Sequence, residues 1–144
     1  MENNEYCTIL SNKEMVLKSH PRIKFRGKLD SLVALVLLVG NEIGYSIELT
    51  LIRNILNDIV TSESSDIPME YPKCLDSYRD KSHNIGILES RDMYSKHYAY
   101  LNYLRTQIRE TEIAAIECLD LQENIIKTLN RLSSLVHCVM SEVY

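Results

Sequence analysis

The chain has 144 residues, of which 45% are hydrophobic and 25% are charged, a composition typical of one globular domain with a sizeable core. Its formal net charge is only −4 at pH 7, but residues 13–28 carry six Lys or Arg side chains against one Glu. An acidic body with one basic segment argues against broad nucleic-acid binding and fits a small, highly charged anion; a basic segment that only keeps the chain soluble is an equal alternative.

Residues 1–26 lack helical periodicity, and we interpret them as an extended basic arm with room for a short strand. Pro21 favours an extended conformation for His20. The chain begins Met-Glu-Asn rather than with a basic and apolar leader, and its longest apolar run, residues 32–39, is far shorter than the roughly 20 residues that span a bilayer. Neither secretion nor a membrane partner is therefore expected.

Residues 28–61 show helical spacing of apolar residues. One stripe contains Leu29, Leu32, Val36, Val39 and Ile43, and a second contains Ile47, Leu51, Ile55 and Ile59. A single helix of that length would run about 50 Å, whereas a domain of this size has a radius of gyration of about 14 to 15 Å. Gly44 suits a helix C-terminus and Ser46 a following N-cap, so the pattern predicts two antiparallel helices, 29–43 and 46–62.

The next segment, residues 62–90, contains two prolines and a serine-rich stretch and predicts at most one short helix, near residues 74–81. Segments of this length are often functional, and we leave open a surface excursion or a lid over a ligand. Two long helices follow, one over residues 92–118 and one from residue 121 onward. The first places Leu101, Leu104, Ile108, Ala115 and Cys118 inward, and the second Ile125, Leu129, Leu132, Val136, Val139 and Val143.

The predicted fold is an all-α antiparallel bundle of about five helices, four long and one short. The whole chain forms one domain, in which residues 1–26 are the extended arm and residues 27–144 the helical bundle. The four cysteines are scattered without a Cys-x-x-Cys pair, which is typical of reduced thiols in a cytoplasmic protein. The histidines have no ligand spacing with one another or with the cysteines, so no metal site is expected.

One line of charged residues points to a binding site. Arg105, Arg109 and Glu112 stand at i, i+4 and i+7, on one face of the predicted helix 92–118. Like charges four residues apart cost a helix about a few tenths of a kcal/mol, and a guanidinium binds a phosphate or carboxylate through two parallel hydrogen bonds. We interpret the line as an anion site; the alternative is a solvated helix face with ordinary charge pairs.

Three segments together resemble a known family. Residues 101–112 resemble the Arg-x-x-x-Arg-x-x-Glu helix of the ATP:cob(I)alamin adenosyltransferases. Residues 129–133, Leu-Asn-Arg-Leu-Ser, are similar to the Asn-Arg-Leu-Ser of that superfamily's last helix. Residues 20–32 resemble the signature of its ethanolamine-utilisation branch. The resemblance extends from about residue 8 to residue 140.

The resemblance implies a trimer of five-helix bundles, with ATP bound between neighbouring subunits and cobalamin beside it. It implies that Arg105 and Arg109 contact the triphosphate or pair across the interface with Asp30, as the catalytic residues. Glu112 and Asn130 would hold the nucleoside of ATP. Reduced cob(I)alamin would attack the 5′-carbon of ATP and displace triphosphate, so the protein has to align the reactants and neutralise the leaving charge.

The chain departs from its relatives in two places. The propanediol-utilisation branch has a glycine-rich Thr-Gly-Asp phosphate loop, whose place is taken here by residues 8–13, Thr-Ile-Leu-Ser-Asn-Lys. We therefore expect the basic arm to supply ATP contacts through Thr8, Lys13 and Lys28. The ethanolamine branch usually carries an N-terminal region with a His and Cys-Cys-x-x-Cys metal motif, which has no counterpart in this chain; the protein is either naturally short or a fragment.

Three hypotheses follow for the function. The first is a cobalamin adenosyltransferase of ethanolamine utilisation, with ATP and cobalamin as substrates and Mg²⁺ accompanying ATP. It would be cytoplasmic, within a bacterial microcompartment or beside an ethanolamine ammonia-lyase partner. The second is a non-catalytic helical module of the same system that binds ATP, cobalamin or a partner protein. The third is a helical scaffold without a ligand.

Overall fold

A computed structural model describes residues 5–10, 14–85, 95–118 and 120–142. In these ranges the chain forms a two-stranded hairpin followed by five helices, which confirms the predicted all-α bundle of four long helices and one short one. The elements are β1 (Cys7–Ile9), β2 (Met15–Leu17), α1 (Pro21–Ile43), α2 (Ile47–Ser65), α3 (Leu75–Ile85), α4 (Lys96–Ile116) and α5 (Glu123–Glu142).

The N-terminal segment is less extended than predicted. β1 and β2 pair antiparallel with Thr8 opposite Val16, and α1 begins at Pro21, so the prediction of an extended arm is wrong from residue 21 to residue 26. The His20 side chain accepts a hydrogen bond from the Arg22 backbone N–H at 3.1 Å, and a proline suits the first position of a helix. Phe25 is fully buried, one turn before Leu29, and extends the apolar stripe of α1 into the basic segment.

The turn between α1 and α2 confirms the predicted pair of helices. Gly44 has a φ of +87°, a conformation that favours glycine, and the Ser46 hydroxyl accepts from the Leu49 backbone N–H at 3.1 Å. The predicted second stripe is partly wrong, because Ile47 is 84% exposed and Leu51 is only partly buried. A strict spacing of four residues turns about 40° further round a helix at each step, so the stripe starts on the solvent side at Ile47 and reaches the buried face of α2 only at Ile55.

The two C-terminal helices match the prediction closely. All five inward positions predicted for α4 and its end are buried, and so are those of α5 from Ile125 to Val139; Val143 lies outside the described residues. α4 and α5 pack side by side, and their short connection makes them antiparallel. α1 packs on the other side of α4 and also contacts α2.

α3 runs parallel to α5. The Asn124 side chain donates to the Met69 carbonyl at 2.9 Å, and the Ser82 Oγ lies 2.7 Å from the His137 Nδ1; each pair is separated by 55 residues. When contacting residues of two segments keep the same difference in residue number, the two segments run in the same direction. The short helix predicted near residues 74–81 is confirmed as α3, and the structure adds that it packs on α5.

Arg22 joins three parts of the bundle. Its Nε and Nη2 donate to the two carboxylate oxygens of Glu63 at 2.7 and 3.1 Å, and its Nη1 donates to Asp120 at 3.0 Å. Glu63 is only 3% exposed, and its hydrogen bond is the main cause that raises the pKa of Arg22. This cation of the predicted arm therefore connects the start of α1 to the end of α2 and to the α4–α5 connection.

Candidate functional site

A cavity of about 300 Å³ lies between α4 and α5. It brings together four of the residues singled out in the sequence, which are Arg105, Arg109, Glu112 and Asn130. The remaining lining residues come from α5 and from α3; they are Ser133, Ser134, His137 and Ser82. The predicted charged line and the Asn-Arg-Leu-Ser segment thus face the same space, although they are far apart in sequence.

The two arginines differ in their surroundings. Arg105 is partly buried, and its Nε and Nη2 donate to the Asn102 Oδ1 at 3.2 and 3.0 Å. Arg109 is exposed and forms no ion pair or hydrogen bond with any other residue of the described ranges. The Arg105 guanidinium is oriented by a neutral side chain, and Arg109 has no partner in the described ranges. The positive charge of both arginines is therefore available to an anion in the cavity.

The cavity has two chemically different ends. Because α4 and α5 are antiparallel, Glu112 and Asn130 lie towards the α4–α5 connection, whereas Arg105 and His137 lie towards the opposite end. The first end offers a carboxylate and an amide, which suit hydroxyl groups and a heterocyclic base. The second end offers cationic and neutral hydrogen-bond donors, which suit phosphate oxygens.

Asn130 has a defined partner on its own helix. Its Oδ1 accepts from the Arg131 Nη1 at 2.6 Å, and the Arg131 Nε lies 3.9 Å from the Asp76 carboxylate of α3. With the oxygen engaged, the amide nitrogen of Asn130 is the group left to donate to a ligand.

The other predicted site residues lie elsewhere. Asp30 lines a separate cavity of about 200 Å³ between α1 and α2. The Lys28 Nζ pairs with Glu110 at 3.2 Å, on the opposite side of α1 from Asp30, and Thr8 belongs to β1. Lys13 lies outside the described residues. Within one chain, therefore, the α4–α5 cavity does not include Asp30, Lys28 or Thr8.

A second surface feature runs along α1 and α4. Two neighbouring cavities of about 570 and 340 Å³ share Ser31 as a lining residue. Large apolar side chains beside them are about half exposed, with Leu38 at 51%, Tyr103 at 56% and Ile113 at 55%. An exposed apolar face of this kind is characteristic of a protein–protein interface.

Sequence reasoning missed Ser82 and left His137 without a role. His137 follows Asn130 by seven residues along one face of α5, a spacing that marks it as a possible neighbour of the site. Ser82 carries no comparable signal, because only the parallel docking of α3 on α5 brings it to the cavity. In the described ranges no group of three His, Cys, Asp or Glu residues is placed to hold a metal ion, and none of the helices is long and apolar enough to cross a membrane.

Comparison with known proteins identifies relatives of the chain by sequence and by fold. The family model for cobalamin adenosyltransferases matches residues 5–143. The corrinoid adenosyltransferase EutT of Salmonella typhimurium is 32% identical over 151 aligned positions that cover 92% of this chain. EutT of Escherichia coli strain K12 is 31% identical over the same share. Each alignment includes 57% of the relative, so the chain spans a little over half the length of these curated relatives.

The bundle is also similar to a solved structure. A variant of the PduO-type ATP:corrinoid adenosyltransferase of Lactobacillus reuteri, complexed with cobalamin and ATP, superposes with a TM-score of 0.69. The match covers 94% of this chain and 87% of that chain at 16% sequence identity. At this identity the likeness establishes the shared fold.

Proposed function

Because the chain belongs to the cobalamin adenosyltransferase family, we propose that it transfers the 5′-deoxyadenosyl group of ATP to cob(I)alamin and releases triphosphate, in the service of ethanolamine utilisation. The observation that carries this proposal is the α4–α5 cavity, where two arginines, a glutamate and an asparagine converge. These groups match the parts of ATP, since a polyphosphate requires cations and a nucleoside requires paired donors and acceptors.

The chemistry requires little from the protein beyond position and charge. The cobalt of cob(I)alamin donates an electron pair to the 5′-carbon of ATP, and the carbon–oxygen bond to the triphosphate breaks with its electrons on the leaving oxygen. Arg105 and Arg109 would stabilise the negative charge that develops on the triphosphate. Glu112 and Asn130 would hold the nucleoside so that the 5′-carbon faces the cobalt. No nucleophilic side chain is needed.

Mg²⁺ would accompany ATP as a counter-ion of the triphosphate. The only carboxylate that lines the described part of the cavity is Glu112, a sparse oxygen set for a cation that demands six ligands. Phosphate oxygens and water would therefore be its main ligands.

The remaining predicted contacts come from a neighbouring subunit in this proposal. We infer a homotrimer in which Asp30 of one chain pairs with an arginine of the next, while Thr8, Lys13 and Lys28 extend towards the triphosphate. Two observations support it: Asp30 lies outside the α4–α5 cavity of its own chain, and α1 and α4 expose a continuous apolar face. Burial of that face between subunits would bring α1 of one chain close to another chain.

The cellular setting proposed is the cytoplasm, within a bacterial microcompartment or beside an ethanolamine ammonia-lyase that consumes adenosylcobalamin. The ethanolamine-type signature of residues 20–32 supports this assignment. A second candidate function is a non-catalytic module of the same system that binds ATP, cobalamin or a partner protein. It is favoured by residues 8–13, Thr-Ile-Leu-Ser-Asn-Lys, which take the place of the glycine-rich phosphate loop of the propanediol-utilisation branch.

Arg109→Ala tests the nucleotide site. Loss of one charge-assisted hydrogen bond costs about 1.5 to 3 kcal/mol, so ATP affinity measured by calorimetry should fall about 10- to 100-fold. The free energy of unfolding should stay unchanged, because Arg109 has no partner among the described residues. Arg79→Ala, at an exposed position of α3 away from the cavity, is the matched control.

The corrinoid absorbance spectrum then separates the two candidate functions. Formation of adenosylcobalamin from cob(I)alamin and ATP by the wild-type chain supports the enzyme, whereas ATP binding without turnover supports the module. Equal ATP affinity of Arg109→Ala and wild type would contradict the assignment of the α4–α5 cavity to ATP.

Asp30→Asn tests the trimer. Light scattering should give a trimer mass for the wild-type chain at micromolar concentration and a smaller average mass, or weaker ATP binding, for the variant. Asn41→Gln, an exposed change on the same helix at a position that lines neither cavity of the α1–α4 face, controls for disturbance of α1. A monomeric wild-type chain would refute the trimer and the intersubunit role of Asp30 together.

A further inference from the structure

Arg131 lies directly beside Asn130 in α5 but does not line the α4–α5 cavity. We propose that Arg131 is a positioning residue, which orients the Asn130 amide so that its nitrogen donates to an acceptor atom of the bound nucleoside. Asp76 of α3 and Tyr71, which precedes that helix, hold Arg131 in place. The inference deepens the proposed function and rests on it for the identity of the ligand.

The orientation of the Asn130 amide follows from hydrogen-bond chemistry. The Arg131 Nη1 donates to the Asn130 Oδ1 at 2.6 Å. A guanidinium has only N–H donors and no acceptor, so only the oxygen of the amide can face it, and the direction of this hydrogen bond is fixed. The amide nitrogen is therefore turned away from Arg131. Because Asn130 lines the cavity, this nitrogen is the atom that it presents to a ligand.

The surroundings of Arg131 are poorly suited to a purely stabilising role. The side chain is only 16% exposed, and its Nε lies 3.9 Å from the Asp76 Oδ1. This separation is that of an ion pair rather than a hydrogen bond, and the Nε is buried without a hydrogen-bond partner in the described ranges. An unsatisfied buried donor destabilises a fold. Attachment of α5 to α3 alone therefore does not account for an arginine at this position.

The carboxylate that faces Arg131 is fixed by a second contact. The Tyr71 hydroxyl donates to the Asp76 Oδ1 at 2.6 Å, and the Lys127 Nζ lies 4.1 Å from the centre of the Tyr71 ring. Lys127 precedes Arg131 by one turn of α5. The α5 helix beside Asn130 is thus docked on residues 71–76, and a guanidinium held there fixes the neighbouring amide.

A structural role is the competing explanation. In that case a change at Arg131 alters stability and leaves ligand affinity unchanged. Two substitutions separate the roles. Arg131→Lys keeps the positive charge near Asp76 but lacks the planar fork that faces two partners. Asn130→Asp keeps an oxygen for the guanidinium and replaces the outward nitrogen with a second oxygen, so the pair survives while the donor to the ligand is lost.

The experiment compares affinities for ATP, adenosine and inorganic tripolyphosphate by calorimetry, with magnesium present. Arg131→Lys should bind ATP and adenosine about fivefold to tenfold more weakly and tripolyphosphate within about twofold of wild type. Asn130→Asp should lose about tenfold in affinity for adenosine, whose lack of charge excludes electrostatic repulsion as the cause. In an Asn130→Ala background, Arg131→Lys should cause no further loss, because it acts only through Asn130. Arg79→Lys, at an exposed position of α3 outside the cavity, is the control.

The side-chain amide signals of Asn130 test its orientation without a ligand. Their heteronuclear NOE should be that of a rigid group in wild type and of a mobile group in Arg131→Lys, and equal rigidity in both would overturn the proposal.

Circular dichroism verifies the helix content and melting temperature of each variant. Wild-type affinity for adenosine in Arg131→Lys, with a lowered melting temperature, would overturn the proposal and leave a structural attachment. Equal losses for adenosine and tripolyphosphate, or additive losses in the double variant, would also overturn it. The proposed function fails separately, if the wild-type chain binds ATP but forms no adenosylcobalamin; coupled losses of nucleoside affinity at residues 130 and 131 would still support the positioning role.

Discussion

Arg22→Met is expected to destabilise the bundle more than the loss of any exposed ion pair. The substitution preserves most of the aliphatic length of the side chain and removes the guanidinium, which donates to Glu63 at 2.7 and 3.1 Å and to Asp120 at 3.0 Å. Glu63 is 3% exposed, so its carboxylate would remain in the protein interior without the cation that compensates it.

The magnitude follows from that burial. Removal of one partner of a buried pair typically costs about 3 to 5 kcal/mol. The Arg22 side chain is 15% exposed and Asp120 is 67% exposed, so water reaches part of the cluster and a smaller loss, about 2 to 3 kcal/mol, is expected. The double variant Arg22→Met, Glu63→Met should recover more than half of the loss, because two apolar side chains of similar volume replace the pair.

Urea unfolding of the variants at pH 7 and fixed protein concentration measures these free energies, since an oligomer's apparent stability depends on its concentration. The matched control is Lys96→Met, whose pair with Glu42 is about half exposed at both ends and should cost less than about 1 kcal/mol. Equal losses in Arg22→Met and Lys96→Met would refute the reasoning. So would a double variant less stable than Arg22→Met alone.

Three further predictions concern stability and reactivity. Burial, followed by the hydrogen bond to Asp76, raises the pKa of Tyr71 to about 12. The neutral phenol therefore stabilises the fold below about pH 10, and this stabilisation is lost as the pH rises towards 12. The unfolding free energies of wild type and Tyr71→Phe should converge over that interval. Iodoacetamide should label exposed Cys74 well before Cys118, because burial raises the pKa of Cys118 to about 11; equal native-state rates in mass spectra would contradict this. Ser46→Ala removes the N-cap of α2 and should cost about 1 kcal/mol in urea unfolding, whereas no loss would show that the cap is dispensable.

Local sequence signals predicted those features that depend on one helix or one turn. The apolar spacing of α5 identified its buried face because the pattern repeats over many turns, and Gly44 with Ser46 located the break between α1 and α2. The line of Arg105, Arg109 and Glu112 was visible for the same reason, since helical spacing alone brings these residues to one face.

Features that depend on long-range packing were not predictable in this way. The start of α1 was missed because Phe25 is one apolar residue among several cations. Its burial depends on packing against side chains of other helices. Ile47 fits a spacing of four residues but lies on the solvent side of α2. Ser82 reaches the cavity only through the parallel docking of α3, which no local pattern records.

The way in which α3 is attached has a consequence for the dynamics of the bundle. Leu75 is the one fully buried side chain of its eleven residues, and the helix packs chiefly on α5. Elements with few buried contacts undergo local unfolding at a lower free energy than the core around them. Amide hydrogen exchange in α3 should therefore be faster than in α1, α4 and α5. Each such opening separates Ser82 from His137 and exposes one end of the α4–α5 cavity. An anion bound in the cavity should therefore slow amide exchange in α3, although the two arginines belong to α4.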